Sequence, residues 1–190
     1  MPEPWENPLP PTQGDHHDDA TYAGVGRVTS RWEEVEIELA HLYSVFAGTP
    51  NESAAVRAYG AGRIFRDRLG SLNSAADRFF IANPNQVWEG TYGCLRNRAL
   101  AFSERRNDIA HGVVRQMRWI PSLKARMPSA QIVRVQFCLV PPHYLPRRFD
   151  PSNAPTFAYT STELLRVEEG LYWHVEAIKE FSARLHPETE

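Results

Sequence analysis

The chain has 190 residues, a formal net charge of −2 at pH 7, and 42% hydrophobic and 23% charged residues. This composition is ordinary for a soluble globular protein, and the length fits one domain with a sizeable core. No apolar run approaches the roughly 18 residues of a membrane span, and no signal peptide is evident. The two cysteines, Cys94 and Cys138, match neither a zinc pattern nor a disulfide framework. We therefore expect a cytoplasmic protein.

The charges are unevenly distributed along the chain. Residues 1–54 hold 2 basic and 10 acidic side chains, residues 55–148 hold 16 and 5, and residues 149–190 hold 3 and 8. A basic middle third is what a phosphate-binding site requires. A basic face that docks on acidic neighbours in the same helical bundle would explain the pattern equally well.

Residues 1–19 are predicted to be a disordered N-terminal tail, because they contain five prolines and several acids. The cluster Asp15-His16-His17-Asp18-Asp19 contains residue types that bind metals, but nothing in the sequence fixes its geometry. We therefore predict no metal site and no cofactor, and a single folded domain over residues 20–190.

Three helices are predicted before residue 112. Apolar residues at intervals of three and four predict the first over residues 21–47. Asn51 or Ser53 can cap a second helix that continues to about Ala82, and a third runs from near Gln86 to His111. The positions expected to face the core are Val25, Val28, Trp32, Val35, Leu39, Leu42 and Phe46 in the first helix, Ala55, Tyr59, Ile64, Leu69, Leu72, Ala76 and Phe79 in the second, and Trp88, Tyr92, Leu95, Ala99, Phe102 and Ile109 in the third.

The hydrophobic period changes after Gly112. Residues 113–120 and 131–140 favour strands, and the basic linker between them predicts an inserted β-hairpin over about residues 113–140. Such a hairpin could contact RNA or cover the bundle. After a proline-rich loop, Thr160 and Glu163 predict the capped start of a last long helix that reaches the C-terminus.

The stretch Glu104–Val114, ERRNDIAHGVV, carries the main functional signal. In one helix Asn107 and His111 are i and i+4 and share a face. Arg106 and His111 lie about 140° apart at 3.6 residues per turn, so a joint role requires an irregular turn or a second copy of the chain. Gly112 is the natural residue to end this helix in a left-handed conformation.

The segment from Arg106 to His111, RNDIAH, resembles the Arg-x4-6-His signature of the HEPN superfamily, in which a polar residue follows the arginine. The resemblance implies an antiparallel helical bundle that dimerises and a metal-independent endoribonuclease of a toxin–antitoxin or phage-defence system. It implies that Arg106 and His111 are catalytic and that Asn107 orients them. Possible partners are then RNA, a second copy, and an antitoxin or defence-system protein.

Cleavage by the RNA's own 2′-hydroxyl requires a base, an acid and a cation that stabilises the phosphorane. His111 would act as general acid or base and Arg106 would bind the scissile phosphate, and two copies would complete the set of groups. Arg105, Arg98 and Arg96 would extend the phosphate path. The alternative is a non-catalytic helical module that binds a protein partner or a nucleotide, because a fold shared with nucleases does not make a nuclease.

Overall fold

The computed structural model describes residues 3–49, 51–132, 134–142, 144, 148 and 154–185. These residues are mainly helical, which confirms the predicted class, and among them no helix is both long and apolar enough to cross a bilayer. The elements are α1 (Asp18–Ala47), α2 (Glu52–Gly60), α3 (Phe65–Ala82), α4 (Gln86–Ala110), β1 (Val113–Gln116), a 3-10 turn (Met117–Trp119), α5 (Pro121–Lys124), α6 (Ser129–Ile132), β2 (Phe137–Val140) and α7 (Ser161–Leu185).

The chain divides into two compact units, and the single folded domain over residues 20–190 stays a prediction. Unit 1 comprises Met1–Arg31 and Glu104–Leu171, and unit 2 comprises Trp32–Ser103 and Tyr172–Glu190. Helices α1, α4 and α7 have 25 to 30 residues each, and each contributes one part to each unit. Helices of this length can pack their two halves into different cores, which the apolar period alone does not reveal.

Within unit 1, α1 and α7 run in the same direction. Gly24 lies against Leu164, where an added Cβ would come within 2.7 Å of a Leu164 methyl carbon. One turn further along both helices, Arg27 Nε donates to Glu168 Oε2 at 3.2 Å. The predicted antiparallel bundle does not include a parallel pair. The long connection between α4 and α7 permits one, because it can return the chain to either end of a bundle.

The predicted hairpin is present in part. Strands β1 and β2 pair antiparallel in the register Val113↔Val140 to Gln116↔Phe137, but each has only four residues. The 3-10 turn Met117–Trp119 and the end of α6 occupy residues that were predicted to be strand. Helix α5 forms in the predicted linker, where Pro121 occupies the first turn and its missing N–H costs nothing. Val133 lies outside the described residues. Beneath the turns is a buried cluster of Met117, Ile120, Leu123, Met127, Cys138, Val140 and Ala158.

The N-terminal segment, predicted to be a mobile tail, makes specific contacts within unit 1. The Gly14 N–H donates to Gln136 Oε1 at 2.8 Å, and Asp15 forms an antiparallel bridge with Phe137. The Asp15 carboxylate accepts the Ser161 N–H at 2.8 Å and the Thr21 hydroxyl at 2.6 Å. A carboxylate at the start of α7 also interacts favourably with the helix dipole. A single aspartate therefore connects this segment to α1 and α7.

Gly112 was predicted to end α4 in a left-handed conformation, but among the described residues only Gly48 has a positive φ. Close packing explains the glycine instead: an added Cβ at position 112 would lie 2.6 Å from Cγ of Leu139, itself 1% exposed.

We expect Gly112→Ala to lower the free energy of unfolding by about 1–3 kcal/mol, as overpacking does. Denaturant titration tests this. The control is Gly93→Ala, which has open space in α4; a similar effect of both changes would contradict the packing argument.

Unit 2 contains a helix break that the sequence did not predict. The predicted second helix is divided into α2 and α3, with residues 61–64 between them. The Gly62 carbonyl accepts a bond from Arg68 Nη1 at 3.0 Å, and a Cβ at Gly62 would approach Arg68 within 2.8 Å. Ile64, expected in the core, is 58% exposed because it precedes α3 in an extended conformation. Asn51 caps α2 as predicted, accepting the Ala54 N–H at 3.0 Å.

The unit 2 core contains the buried ionisable side chains of Glu36 and His174. Glu36 of α1 is 7% exposed and pairs with Arg68 and Tyr59. His174 is 1% exposed and packs against Phe102, with 5.7 Å between ring centroids. Among the described residues neither ring nitrogen of His174 has a hydrogen-bond partner. An unpaired buried imidazole is held in its neutral form because burial penalises the charge.

We expect unit 2 to lose stability in mild acid through His174. Burial, followed by the nearby charge of Arg98, lowers the pKa of His174 from 6.5 to about 4. Below pH 6.5 the unfolded chain binds a proton that the folded chain does not, so stability is complete above that pH and falls between pH 6.5 and 4, by roughly 3 kcal/mol in total. Denaturant titration at several pH values from 7.5 to 4 gives the free energy of unfolding, which should decline less in His174→Phe than in wild type. Equal declines in the two proteins would contradict this role of His174.

Candidate functional site

The end of α4 in unit 1 presents an exposed face that carries Asn107 and His111. Both side chains are exposed, whereas Ile109 on the opposite side is fully buried. Although α4 ends at Ala110, the His111 N–H still donates to the Asn107 carbonyl at 3.1 Å, which is the helical i to i−4 bond. The two residues therefore keep the helical spacing that the sequence predicted and lie about 40° apart around the axis.

Arg106 is directed toward this face by a side-chain contact. Its Nη1 donates to Asn107 Oδ1 at 3.1 Å. A long arginine side chain can bridge the angular gap that separates Cα106 from Cα111, and the amide oxygen of Asn107 accepts its guanidinium there. The predicted orienting role of Asn107 has this contact in its favour. Asn107 thus contacts a cation suited to phosphate and shares a helix face with an imidazole suited to proton transfer.

The inward side of the same two turns holds a buried ion-pair cluster. Arg105 is 8% exposed and its Nη2 lies 3.3 Å from Asp108 Oδ2. The second oxygen, Asp108 Oδ1, accepts from Arg148 Nη1 at 2.9 Å. Burial raises the pKa of Asp108, and the charges of Arg105 and Arg148 oppose that shift. The burial of Arg105 and its ion pair with Asp108 both oppose the predicted phosphate contact. The guanidinium is shielded from solvent, and its charge already has an internal partner.

Contacts with the sheet hold this cluster and the following turn. The Tyr159 phenol is fully buried; its burial raises its pKa, and the nearby Arg105 guanidinium opposes that shift. The backbone of Tyr159 exchanges two hydrogen bonds with Leu139, at 2.8 and 2.9 Å. Leu139 in turn packs on Gly112, immediately after His111. The Leu139–Tyr159 bridge therefore packs against the turn that follows His111, and its tyrosine is close enough to Arg105 to be affected by that charge.

Arg96 and Arg98, the other predicted RNA contacts, belong to the part of α4 in unit 2. Arg96 Nε and Nη2 donate to Asn97 Oδ1 at 3.2 and 3.1 Å on the surface. Arg98 is partly buried, and its charge acts on the buried His174. Arg96 is also partly buried, so both side chains are only partly accessible to an anion.

Sequence reasoning missed Asp108 and Arg148, which lie 40 residues apart. The i, i+3 spacing of Arg105 and Asp108 could have suggested their pairing, but no periodic signal connects either to Arg148. As for metals, no group of three or more His, Cys, Asp or Glu side chains suited to an ion occurs in the part of the chain that the structure describes. Asp15, from the acidic N-terminal cluster, is engaged with Thr21 and Ser161.

Comparisons with protein-family models, characterised proteins and solved structures found no match to this chain.

Proposed function

We propose that the protein is an endoribonuclease that cleaves RNA through the RNA's own 2′-hydroxyl, without a metal ion, at a site shared by two copies of the chain. The observation that carries the proposal is the 3.1 Å contact from Arg106 Nη1 to Asn107 Oδ1, beside the exposed His111. This contact supports the proposal because Asn107 shares its helix face with His111, the proposed proton-transfer group. The resemblance of residues 106–111 to the HEPN signature supplies the reaction class.

In this proposal each group has one task. Arg106 binds the scissile phosphate and stabilises charge on the phosphorane, since a planar guanidinium matches two phosphate oxygens. His111 removes the 2′-hydroxyl proton or protonates the leaving 5′-oxygen. Asn107 orients Arg106. One chain offers one such histidine, so the second proton-transfer group comes from a second copy related by a two-fold axis.

The assembly is a separate prediction. We expect a homodimer that buries at least about 1,000 Å² in total. Light scattering at tens of micromolar should return about twice the 21.7 kDa mass of the chain. A mass equal to one chain across the concentrations at which RNA is cleaved would exclude the shared site.

A single incubation tests the activity itself. Purified protein is mixed with varied RNAs in EDTA, and the products are analysed for 2′,3′-cyclic phosphate ends, which follow from attack by the 2′-hydroxyl. Oligonucleotides with 2′-deoxyribose at the scissile position should remain intact. Cleavage that EDTA abolishes would contradict the metal-independent mechanism.

The buried cluster favours a second candidate, a non-catalytic module that binds a protein partner or a nucleotide. Two of the polar residues in the motif region, Arg105 and Asp108, form an internal ion pair, so part of the stretch serves the structure. If no RNA is cleaved by wild type under any condition tested, this second function replaces the first. A toxin–antitoxin or defence role would then depend on the partner.

A further inference from the structure

The 3-10 turn Met117–Trp119 of unit 1 directs two side chains to solvent. Trp119 is 71% exposed and Arg118 is exposed beside it. On either side of them Met117 and Ile120 are 0% and 2% exposed, within the buried cluster beneath the turn. Helix α5 packs directly against the turn. The two exposed side chains therefore project from a well-anchored piece of backbone.

The indole of Trp119 is oriented by its neighbours. Its Nε1 donates to Gln116 Oε1 at 3.0 Å. The guanidinium carbon of Arg118 lies 5.1 Å from the centroid of the ring, which is within cation–π distance. A ring that is already oriented loses little further conformational freedom when a ligand stacks on it, so less of the binding free energy is spent on ordering the side chain.

The charge around this turn is entirely positive along the chain. Residues 109–149 contain seven basic side chains and no acidic one. Arg118, Lys124 and Arg126 are exposed on the turn, on α5 and just after it. Among the residues that the structure describes, none of these three forms an ion pair. Their charges remain available to an anionic partner.

We propose that Arg118, Trp119, Lys124 and Arg126, here called the Trp119 platform, bind single-stranded RNA: a base stacks on the indole and the three cations contact phosphates. Stacking on an aromatic ring combined with cations that follow the backbone is the usual means of binding single strands. The inference deepens the proposed function and rests on RNA being the substrate. Trp119 lies eight positions after His111 in the chain, a reach of at most about 29 Å, so one RNA strand can contact both.

Trp173 provides an internal comparison. It is 69% exposed, almost as much as Trp119, and makes an edge-to-face contact with Tyr172, with 5.1 Å between ring centroids. Its helical neighbours at i−4 and i+3 are Glu169 and Glu176, so a phosphate would be repelled there. Exposure alone does not make a platform; the surrounding charge distinguishes the two tryptophans. Trp173→Ala is therefore the matched control for Trp119→Ala.

The first experiment measures binding to a short fluorescent single-stranded 2′-O-methyl RNA, which lacks the nucleophile for cleavage. We expect Trp119→Ala to raise Kd roughly 5- to 150-fold at low salt, the range found when a stacked aromatic ring is removed. Trp119→Phe should raise Kd by a smaller factor than Trp119→Ala, and Trp173→Ala should have the Kd of wild type. Equal thermal midpoints of the variants would show that the fold is intact. Equal Kd values for the two alanine variants, or no binding by wild type, would overturn the platform.

The second experiment measures the salt dependence of the same binding. Arg118→Ala and Arg126→Ala should each reduce the slope of log K against log salt by about 0.7, one phosphate contact apiece. Arg57→Ala removes the same charge from the exposed surface of α2 and should leave the slope unchanged. An equal reduction by Arg57→Ala would overturn a localised site. Polyglutamate serves as a competitor in the same assay. If polyglutamate displaces the RNA from wild type and binds Trp119→Ala as tightly as it binds wild type, the platform is overturned, because an acidic protein would then be the partner.

The uncleavable RNA keeps the two proposals separate. A wild-type protein that binds it through Trp119 but leaves ordinary RNA intact would overturn the nuclease and retain the platform. A protein that cleaves ordinary RNA with the same kcat/KM with and without Trp119 would retain the nuclease and overturn the platform.

Discussion

Replacing His111 with alanine is expected to lower RNA cleavage by at least about 100-fold, the usual minimum contribution of a positioned acid or base. The side chain is exposed and follows the last turn of α4, so it contributes little to the core. Its backbone N–H, which bonds to the Asn107 carbonyl, is unchanged by the substitution. We therefore expect the fold and the oligomeric mass to survive while the rate falls.

His17→Ala is the matched control, because His17 is also exposed and lies outside the site. It should cleave like wild type in single-turnover assays. Arg106→Lys should resemble His111→Ala in rate, since lysine retains the charge but loses the planar fork that holds two phosphate oxygens. Equal cleavage by wild type and His111→Ala would remove His111 from the mechanism and leave the binding-module function as the better explanation.

The parts of the fold that the sequence predicted are those determined by local periodicity and capping. The stripe from Val28 to Phe46 in α1 is buried throughout. Glu163 accepts the Thr160 N–H at 2.8 Å, as the predicted cap of α7 requires. Both signals act within a few residues, so a single sequence contains all the information they need.

Errors arose where a residue's partner is distant in the chain. Glu36 has the pattern of a solvent-facing residue, but Arg68 is 32 residues away and makes its burial tolerable. Arg105, expected to extend the phosphate path, is buried beside Asp108, and the second partner of Asp108 is Arg148, 40 residues away. In both cases pairing offsets the usual cost of burying a charge, and spacing within one helix cannot report the partner on a distant segment.

The candidate site likewise has features that follow from local spacing and features that depend on distant parts of the chain. The shared face of Asn107 and His111 follows from i, i+4 spacing alone. The direction of the Arg106 side chain does not, because rotamers depend on surrounding packing and hydrogen bonds. The bracing of Gly112 by Leu139 depends on strand register across 27 residues, and register is set by the whole sheet.

Arg68→Ala is expected to destabilise unit 2 by about 3–5 kcal/mol, the usual cost of removing one member of a buried ion pair. Arg68 Nε donates to Glu36 Oε2 at 2.9 Å, and its Nη2 contacts Glu36 Oε1, so the pair is bidentate. The Tyr59 hydroxyl donates to the same carboxylate at 3.0 Å. Without the guanidinium, the Glu36 side chain, 9% exposed, keeps a charge with little access to solvent.

Denaturant titration of two further variants separates pairing from packing. The triple change Glu36→Leu, Tyr59→Phe and Arg68→Met removes every member of the network together and should recover most of the lost stability, because apolar groups of similar volume leave no unpaired charge. Arg184→Ala breaks an exposed i, i+4 pair with Glu180, whose side chains are 64% and 68% exposed, and should change little. If the triple variant is as unstable as Arg68→Ala, the loss comes from missing side-chain volume, and the buried charge of Glu36 is not its cause.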